Sequence, residues 1–359
     1  MASNFQHLID LNDYPVSWWN KLIELGKDIY YSPDRYQGAC DNKIMATLFY
    51  EPSTRTQMSF QTAMLKLGGT LIGFDNPSTS SVSKGENLKD TTKVVSSYAD
   101  IMVIRHPLAG SAKAAALTAE CPIINAGDGG HLHPTQTLTD LFTLTMEKNR
   151  LSDLTIGMCG DLMNGRTVHS LCKALSCYKN NKFIFISTNE LRMPGYIKDI
   201  LMAKGCEFKE VFSLEEAIPE LDVLYMTRIQ RERFASIEEY EQQKNVYVLD
   251  TEKMKLASKN LIVMHPLPRV DEIAIDVDDD DRALYFKQAK YGVYIRMALI
   301  LTMIENRDKT APLLSGSKIN GVCCKNPKCI TNKELYLPKN FIQYGDIMEC
   351  EFCDERQLL

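Results

Sequence analysis

Residues 44–56 read IMATLFYEPSTRT, and this stretch decides the fold that we expect. The mostly apolar run Ile44 to Tyr50 is typical of a buried strand, and Thr56 to Leu67 follow it as a predicted helix. Hydroxyl groups and Arg55 lie where that helix begins, so its free N–H groups and its dipole point at the same place. This arrangement predicts a phosphate site, although an ordinary Ser/Thr helix cap beside a surface arginine gives the same pattern.

The strand-then-helix pattern continues outward from this stretch on both sides. Strands are predicted at Thr70 to Phe74, at Ile101 to Ile104 and at Ile123 and Ile124, and Leu88 to Tyr98 is a predicted helix. Ser17 is the expected N-cap of a helix at residues 18–30. The pattern restarts after residue 150, with strands at 154–158, 183–186, 223–226 and 260–264 and helices at 167–178 and 196–204. Alternation of this kind predicts α/β architecture with two doubly wound parallel-sheet domains and the active site between them.

Composition excludes several classes of protein. The chain has 359 residues, 45% of them hydrophobic, and a formal net charge of -5, so no basic surplus is present for a nucleic-acid binder. The N-terminus does not have the pattern of a secretory signal, and Met297 to Ile304, the longest apolar run, is too short to span a membrane. We therefore expect a cytoplasmic protein with reduced cysteines.

Polar groups follow most of the predicted strands directly. In the first half these are Arg105, His133 and Gln136, which should face one crevice at the carboxyl end of the sheet. In the second half they are Arg166, Arg228 and the HPLPR segment at 265–269. Because two arginines from separate loops can each grip a carboxylate bidentately, this half suits a dicarboxylate ligand. A solvated surface position remains the alternative for each arginine taken alone.

Five of the eleven cysteines crowd into the last 37 residues. Cys324 and Cys329, followed twenty residues later by Cys350 and Cys353, have the spacing of a four-thiolate Zn²⁺ site. Cys323 adjoins Cys324 and leaves the first ligand ambiguous. A tail of this size buries little core, so a structural metal would supply the missing folding energy.

Several motifs match a known family in order and spacing over about residues 1–307. FYEPSTRT, SVSKGE, IRHP, HPTQTLTDL, GRTVHSL, TRIQ and HPLPRVDEI resemble the transcarbamoylase family. HPLPR and TRIQ resemble its aspartate carbamoyltransferase branch, since the ornithine branch typically has a cysteine in the motif HCLP. The resemblance implies transfer of the carbamoyl group from carbamoyl phosphate to L-aspartate, the committed step of de novo pyrimidine (UMP) biosynthesis, with no catalytic cofactor.

The resemblance also implies residue roles. The carbamoyl-phosphate ligands would be Ser53, Thr54, Arg55, Thr56, Arg105, His133, Gln136, Leu267 and Pro268. Among these, Arg55, Thr56, Arg105 and His133 are expected to be catalytic. The aspartate ligands would be Lys84, Arg166, Arg228 and Gln230. Ser80 and Lys84 would come from an adjacent subunit, which implies a homotrimer.

The tail resembles the zinc-binding domain of the separate regulatory chain found in heteromeric members of the family. Here it is fused to the catalytic chain, and the nucleotide-binding domain has no counterpart, so we expect no ATP or CTP control. The zinc domain could extend assembly beyond a trimer. The predicted divisions are 1–137 for carbamoyl phosphate, 138–290 for aspartate, a returning helix at 291–307, a linker at 308–318 and the zinc domain at 319–359.

Two other functions remain open from the sequence. One is a transcarbamoylase that uses a different amino acid, and the other is an inactive scaffold whose tail recruits a partner. The family commonly has an Arg and a Glu where this chain has Gln57 and Gln61. Because those positions are i and i+4 on one helix, we interpret the change as the replacement of a surface ion pair.

Overall fold

A computed structural model describes residues 7–229, 236, 238, 240, 246–306, 313–319 and 321–358. The chain divides into two compact units, one running to Thr135 and resuming at Val293, the other comprising Gln136–Gly292. The domain limits drawn from the sequence remain a prediction, and residues 308–312 of the predicted linker lie outside the described residues. Within these residues, no helix is both long enough and apolar enough to span a membrane.

The first unit is built on a four-stranded parallel sheet in the order β2-β1-β3-β4. Its strands are β1 (Ile44–Phe49), β2 (Thr70–Phe74), β3 (Ile101–His106) and β4 (Ile123–Asp128). Its helices are α1 (Val16–Tyr31), α2 (Thr54–Lys66), α3 (Leu88–Ser96) and α4 (Ser111–Ala116). Because β1 and β3 are neighbours whose connections run to opposite outer strands, the sheet has its topological switch point between them.

The prediction that Ser17 caps the first helix is wrong. The helix α1 begins at Val16, its N-cap is Pro15, and that cap makes no side-chain hydrogen bond. Pro15 instead accepts the N–H of Trp18 through its carbonyl, at 2.8 Å. Proline fits a helix start because its φ is fixed near the helical value and its missing N–H needs no partner there. Ser17 therefore lies inside the first turn.

The second unit contains a five-stranded parallel sheet in the order β7-β6-β5-β8-β9. Its strands are β5 (Thr155–Cys159), β6 (Lys182–Ile186), β7 (Glu207–Val211), β8 (Val223–Met226) and β9 (Ile262–Met264). Its helices are α5 (Pro134–Lys148), α6 (Arg166–Leu175), α7 (Gly195–Ala203), α8 (Leu214–Ala217) and α9 (Thr251–Leu256), and α10 (Tyr285–Glu305) follows. The switch point here lies between β5 and β8. Both parallel sheets confirm the predicted α/β class.

The tail adds an antiparallel sheet of four short strands in the order β10-β11-β12-β13. These are β10 (Ser317–Lys318), β11 (Asn340–Tyr344), β12 (Ile347–Cys350) and β13 (Arg356–Leu358). Phe341, Phe352 and Ile330 of the tail share one hydrophobic core with Met102 and Ala112 of the first unit. The tail is therefore packed on the first unit instead of standing apart from it, which is how so small a segment buries its apolar side chains.

Candidate active site

The predicted phosphate loop lies at the switch point of the first sheet. Phe49 at the end of β1 pairs with Arg105 at the end of β3, and the N–H of Tyr50 donates to the Arg105 carbonyl at 2.8 Å. Ser53 is the N-cap of α2, yet its side chain makes no capping hydrogen bond within the described residues. The leading N–H groups of α2 are thus not satisfied by that hydroxyl, which argues against the simple helix cap and leaves them able to bind an anion.

Arg105 is held in place beside this helix start. Its guanidinium forms an ion pair with Glu51 at 2.7 Å, with the arginine side chain 13% exposed, and Nη1 donates to the carbonyl of Ala126 at 3.2 Å. Burial lowers the pKa of Arg105 from its ordinary value, and the Glu51 carboxylate opposes that shift. The Nε of Arg105 is buried and has no hydrogen-bond partner among the described residues. Glu51, which the sequence analysis did not single out, therefore holds Arg105 on one side and leaves donor capacity for a second anion.

The glycine at position 127 is required by this packing. Gly127 has φ +120°, and a Cβ there would lie 2.8 Å from Nη1 of Arg105 and 3.4 Å from the His133 ring. The backbone of β4 can therefore pass beneath the guanidinium only without a side chain.

A buried carboxylate organises the loop that carries His133. Asp128 accepts the N–H of Gly110 at 2.7 Å and that of Leu132 at 2.9 Å, and it pairs with His131 at 2.9 Å. Burial alone would lower the pKa of His131, but the carboxylates of Asp128 and Asp354 raise it to about 10, so the imidazole is charged at neutral pH. His133 itself is buried, and its Nδ1 lies 3.5 Å from the hydroxyl of Thr135.

The second unit presents its own set of predicted residues at its switch point. Arg166 begins α6, directly after the loop that follows β5, and Arg228 follows β8 by two residues. Because β5 and β8 are neighbouring parallel strands, the two arginines leave adjacent strand ends. Gln230 lies outside the described residues.

Gln136 and the 265–268 segment are joined by a buried network that the sequence analysis did not anticipate. Asp140, fully buried, accepts hydrogen bonds from Gln136 at 2.8 Å, from Tyr225 at 2.9 Å and from Gln288 at 2.7 Å. The side-chain oxygen of Gln288 accepts the N–H of His265 at 3.0 Å.

The imidazole of His265 extends this network into the loop. Its Nδ1 accepts the N–H of Leu267 at 2.7 Å, and its Nε2 donates to Glu272 at 2.7 Å. The Leu267–Pro268 peptide bond that follows is cis. The only sequence signal for the network was the i, i+4 spacing of Gln136 and Asp140 on one helix.

Of the two residues predicted to come from a neighbouring chain, Ser80 is half-buried and Lys84 is exposed. Lys84 ends the short 3₁₀ turn Ser81–Lys84, and Ser80 lies between this turn and the preceding one, Pro77–Thr79. Lys84 is exposed and takes part in no ion pair within the part of the chain that the structure describes.

The tail places four thiols together. The sulfur atoms of Cys324, Cys329, Cys350 and Cys353 all lie within 4.8 Å of one another, and all four residues are buried. The Cys324–Cys353 and Cys329–Cys350 sulfur separations are 3.5 and 3.8 Å. A tetrahedral ion with metal–sulfur bonds of about 2.3 Å sets its ligands about 3.8 Å apart, so the four thiolates fit such an ion. Cys323 is exposed and accepts a hydrogen bond from Lys339 at 3.1 Å, outside the group.

An uncapped helix start beside a buried arginine in one parallel-sheet unit, and two arginines at the switch point of another, are typical of an α/β enzyme that binds anionic ligands. The chain belongs to the aspartate/ornithine carbamoyltransferase family. The model of the carbamoyl-phosphate-binding domain matches residues 6–146, and that of the aspartate/ornithine-binding domain matches residues 152–303. The tail lies beyond both matches.

Similar proteins include aspartate carbamoyltransferases of known sequence and structure. The aspartate carbamoyltransferase catalytic subunit of Clostridium perfringens is 58% identical over 300 residues, which are 83% of this chain and 98% of that protein. The crystallised catalytic subunit of M. jannaschii aspartate transcarbamoylase is 46% identical, with a TM-score of 0.80 over 85% of this chain and 100% of that chain. The aspartate transcarbamoylase of Trypanosoma cruzi in complex with N-(phosphonacetyl)-L-aspartic acid is 36% identical, with a TM-score of 0.79 over 84% of this chain and 97% of that chain.

Proposed function

We propose that this chain transfers the carbamoyl group of carbamoyl phosphate to the amino group of L-aspartate, which gives N-carbamoyl-L-aspartate and phosphate. The observation that carries the proposal is the pairing of Arg105 with an uncapped α2 start at a switch point, in a chain 58% identical to a catalytic subunit of that name. This reaction is the committed step of de novo pyrimidine biosynthesis, and we place the enzyme in the cytoplasm.

The phosphate of the donor would be bound by the α2 loop and Arg105. Ser53, Thr54, Arg55 and Thr56 offer hydroxyl groups, N–H groups and a cation at one helix start, and the helix dipole adds a favourable field. As the aspartate amine attacks the carbamoyl carbon, negative charge develops on the carbonyl oxygen. Thr56, Arg105 and His133 would stabilise that charge, and phosphate would leave with the electron pair of the broken C–O bond and take up the proton that the amine gives up.

The NH2 group of the donor would be held by acceptor atoms only. These are the side-chain oxygen of Gln136 and the carbonyl oxygens of Leu267 and Pro268. Arg166, Arg228 and Gln230 would bind the two carboxylates of aspartate, because planar guanidinium groups match carboxylates bidentately. The enzyme then acts by positioning the two reactants and by stabilising charge.

A homotrimer would complete the site with Ser80 and Lys84 of the adjacent subunit. Exposed apolar side chains on one unit support association, since Met58, Leu65 and Ile72 of α2 and β2 are 61%, 58% and 38% exposed. The ion bound by the four thiolates would be Zn²⁺ with a structural role, because a closed set of four cysteines leaves no open position for substrate.

The test is a product assay. Purified protein is incubated with carbamoyl phosphate and either aspartate or ornithine, and carbamoylaspartate and citrulline are quantified. We expect carbamoylaspartate with aspartate, and Arg55→Ala should lower kcat/KM by about 100-fold through loss of charge-assisted contacts. Arg35→Ala is the matched control, since Arg35 is an exposed arginine of the same unit paired with Asp28. Faster citrulline formation, or full activity of Arg55→Ala, would contradict the proposal.

A further inference from the structure

The fully buried carboxylate of Asp140 fixes which atom of Gln136 is available to a ligand. An ionised carboxylate only accepts hydrogen bonds, so the bond of 2.8 Å between Asp140 and Gln136 must come from the amide nitrogen Nε2. The oxygen Oε1 then points away from Asp140. Gln136 is half-buried, whereas Asp140 is 0% exposed.

The same carboxylate also fixes the orientation of a second amide. Gln288 is 1% exposed; its Nε2 donates to Asp140 at 2.7 Å, and its Oε1 accepts the N–H of His265 at 3.0 Å. His265 in turn accepts the N–H of Leu267 at 2.7 Å. A continuous chain of hydrogen bonds therefore runs from Gln136 through Asp140 and Gln288 to the backbone at Leu267.

Tyr225 completes the set of donors around this carboxylate. Its hydroxyl donates to the second oxygen of Asp140 at 2.9 Å, and it also interacts with Thr167, the residue after Arg166. Burial first, and then the Asp140 carboxylate, raise the pKa of Tyr225 well above its ordinary value, so the phenol stays a donor. Three side-chain donors therefore meet one buried carboxylate, and the two amides among them are held with Nε2 towards it.

We propose that Asp140, with Gln288, is a positioning residue that makes this half-site read an NH2 group. This inference rests on the function proposed above. The network presents the Gln136 oxygen and fixes the backbone at Leu267, so the NH2 group of carbamoyl phosphate meets only hydrogen-bond acceptors there. A carbamoyl group supplies the matching N–H groups. Acetyl phosphate, which has a methyl group at that position, leaves these acceptors unpaired, and a site built this way discriminates strongly against such an analogue.

The test compares the dissociation constants of carbamoyl phosphate and acetyl phosphate, measured by calorimetry on the full-length enzyme without aspartate. In Asp140→Asn the carboxylate that holds Gln136 by its Nε2 is lost, and where the new NH2 group faces Gln136 the amide turns its oxygen inward and directs Nε2 at the ligand. We expect the preference for carbamoyl phosphate over acetyl phosphate to fall by about 10-fold or more, with acetyl phosphate affinity nearly unchanged. Equal losses for both ligands, or an unchanged preference, would overturn the proposal.

Two further variants keep the result interpretable. Gln288→Leu breaks only the link from Asp140 to the backbone at Leu267, so the preference for carbamoyl phosphate should also fall, but by a smaller factor. If Asp140→Asn does not fold, this variant tests the proposal in its place. Tyr291→Phe is the control, because it removes a part-buried hydroxyl that donates to Glu147 and links the same two helices, α5 and α10. It should leave the preference intact. A wild-type enzyme that forms no carbamoylaspartate would refute the function itself, whereas an active wild type with an unaltered Asp140→Asn preference would refute only this inference.

Discussion

The stability of the first unit should depend on pH through His106, which lies one residue after Arg105. Burial lowers the pKa of this imidazole to about 4, and the nearby Asp128 carboxylate only partly opposes the shift. Its Nδ1 accepts the N–H of Leu108 at 3.1 Å, and its ring lies 4.6 Å from that of Tyr50. The folded state therefore holds the neutral form, whereas the unfolded chain takes up a proton near pH 6.5.

The magnitude follows from the two pKa values. Between pH 6.5 and 4 the unfolded state binds more protons, so the free energy of unfolding rises with pH, and the contribution of His106 is lost as pH falls. At about 1.4 kcal/mol per pH unit, the loss between pH 7.5 and pH 5 is about 2 kcal/mol. His106→Asn removes the titrating group and keeps an acceptor for the N–H of Leu108.

The assay uses the two tryptophans as a reporter of this unit. Trp18 and Trp19 are both on α1 and both buried, so their emission follows its unfolding. Urea titrations at pH 7.5, 6 and 5 should show the wild type losing about 2 kcal/mol more than His106→Asn. His7→Asn should reduce the pH dependence of stability in the same way as His106→Asn, because burial lowers the pKa of His7 to about 4 as well. Parallel pH dependence in wild type and both variants would refute the reasoning.

Three other outcomes are expected. Arg166→Ala should raise the KM for aspartate by about 10-fold or more, while the dissociation constant of carbamoyl phosphate stays within about 2-fold of the wild-type value. Arg105→Ala should instead weaken the binding of carbamoyl phosphate. Steady-state kinetics measure the first effect and calorimetry the second. Elemental analysis should find one metal ion per chain, and a chelator should lower the urea midpoint of the tryptophan signal, because the tail shares the core of the first unit. Asp354→Asn should lower the pKa of His131, since one of its two carboxylate partners is lost, and NMR titration of the imidazole reports it.

Much of the fold was predictable because its signals are local. The strand pattern at residues 44–50 and the helix after it differ from β1 and α2 by one or two residues at their ends. The helix α5 was missed because its HPTQTLTDL start reads as a loop motif rich in threonine, and β7 was missed because its EFKEV pattern is mostly exposed. Edge strands of this kind carry little apolar signal.

The links between distant segments could not be predicted. Asp140 and Gln288 are 148 positions apart, and His131 and Asp354 are 223 positions apart. No periodicity connects such pairs, since only the folded sheet order brings their strands and helices together. The docking of the tail is similar, because Ala109 exchanges backbone hydrogen bonds of 2.9 Å with Lys328 and Ile330. Gly110 has φ +83°, and a Cβ there would lie 2.5 Å from the Phe352 carbonyl oxygen. The glycine is visible in the sequence, but the Phe352 carbonyl that leaves no room for a side chain is not.

Two buried aspartates support the two proposed half-sites, and they do so in different ways. Asp128 collects backbone N–H groups, those of Gly110 and Leu132, so it holds the path of the chain that carries His133. Asp140 collects side-chain donors, so it holds the orientation of amides on a backbone that α5 already fixes. Loss of the first carboxylate leaves buried N–H groups unpaired and should disturb the proposed ligand contacts of its loop together. Loss of the Asp140 carboxylate lets the Gln136 amide rotate while the backbone of α5 stays in place. We therefore expect ligand preference to change before the stability of the fold does.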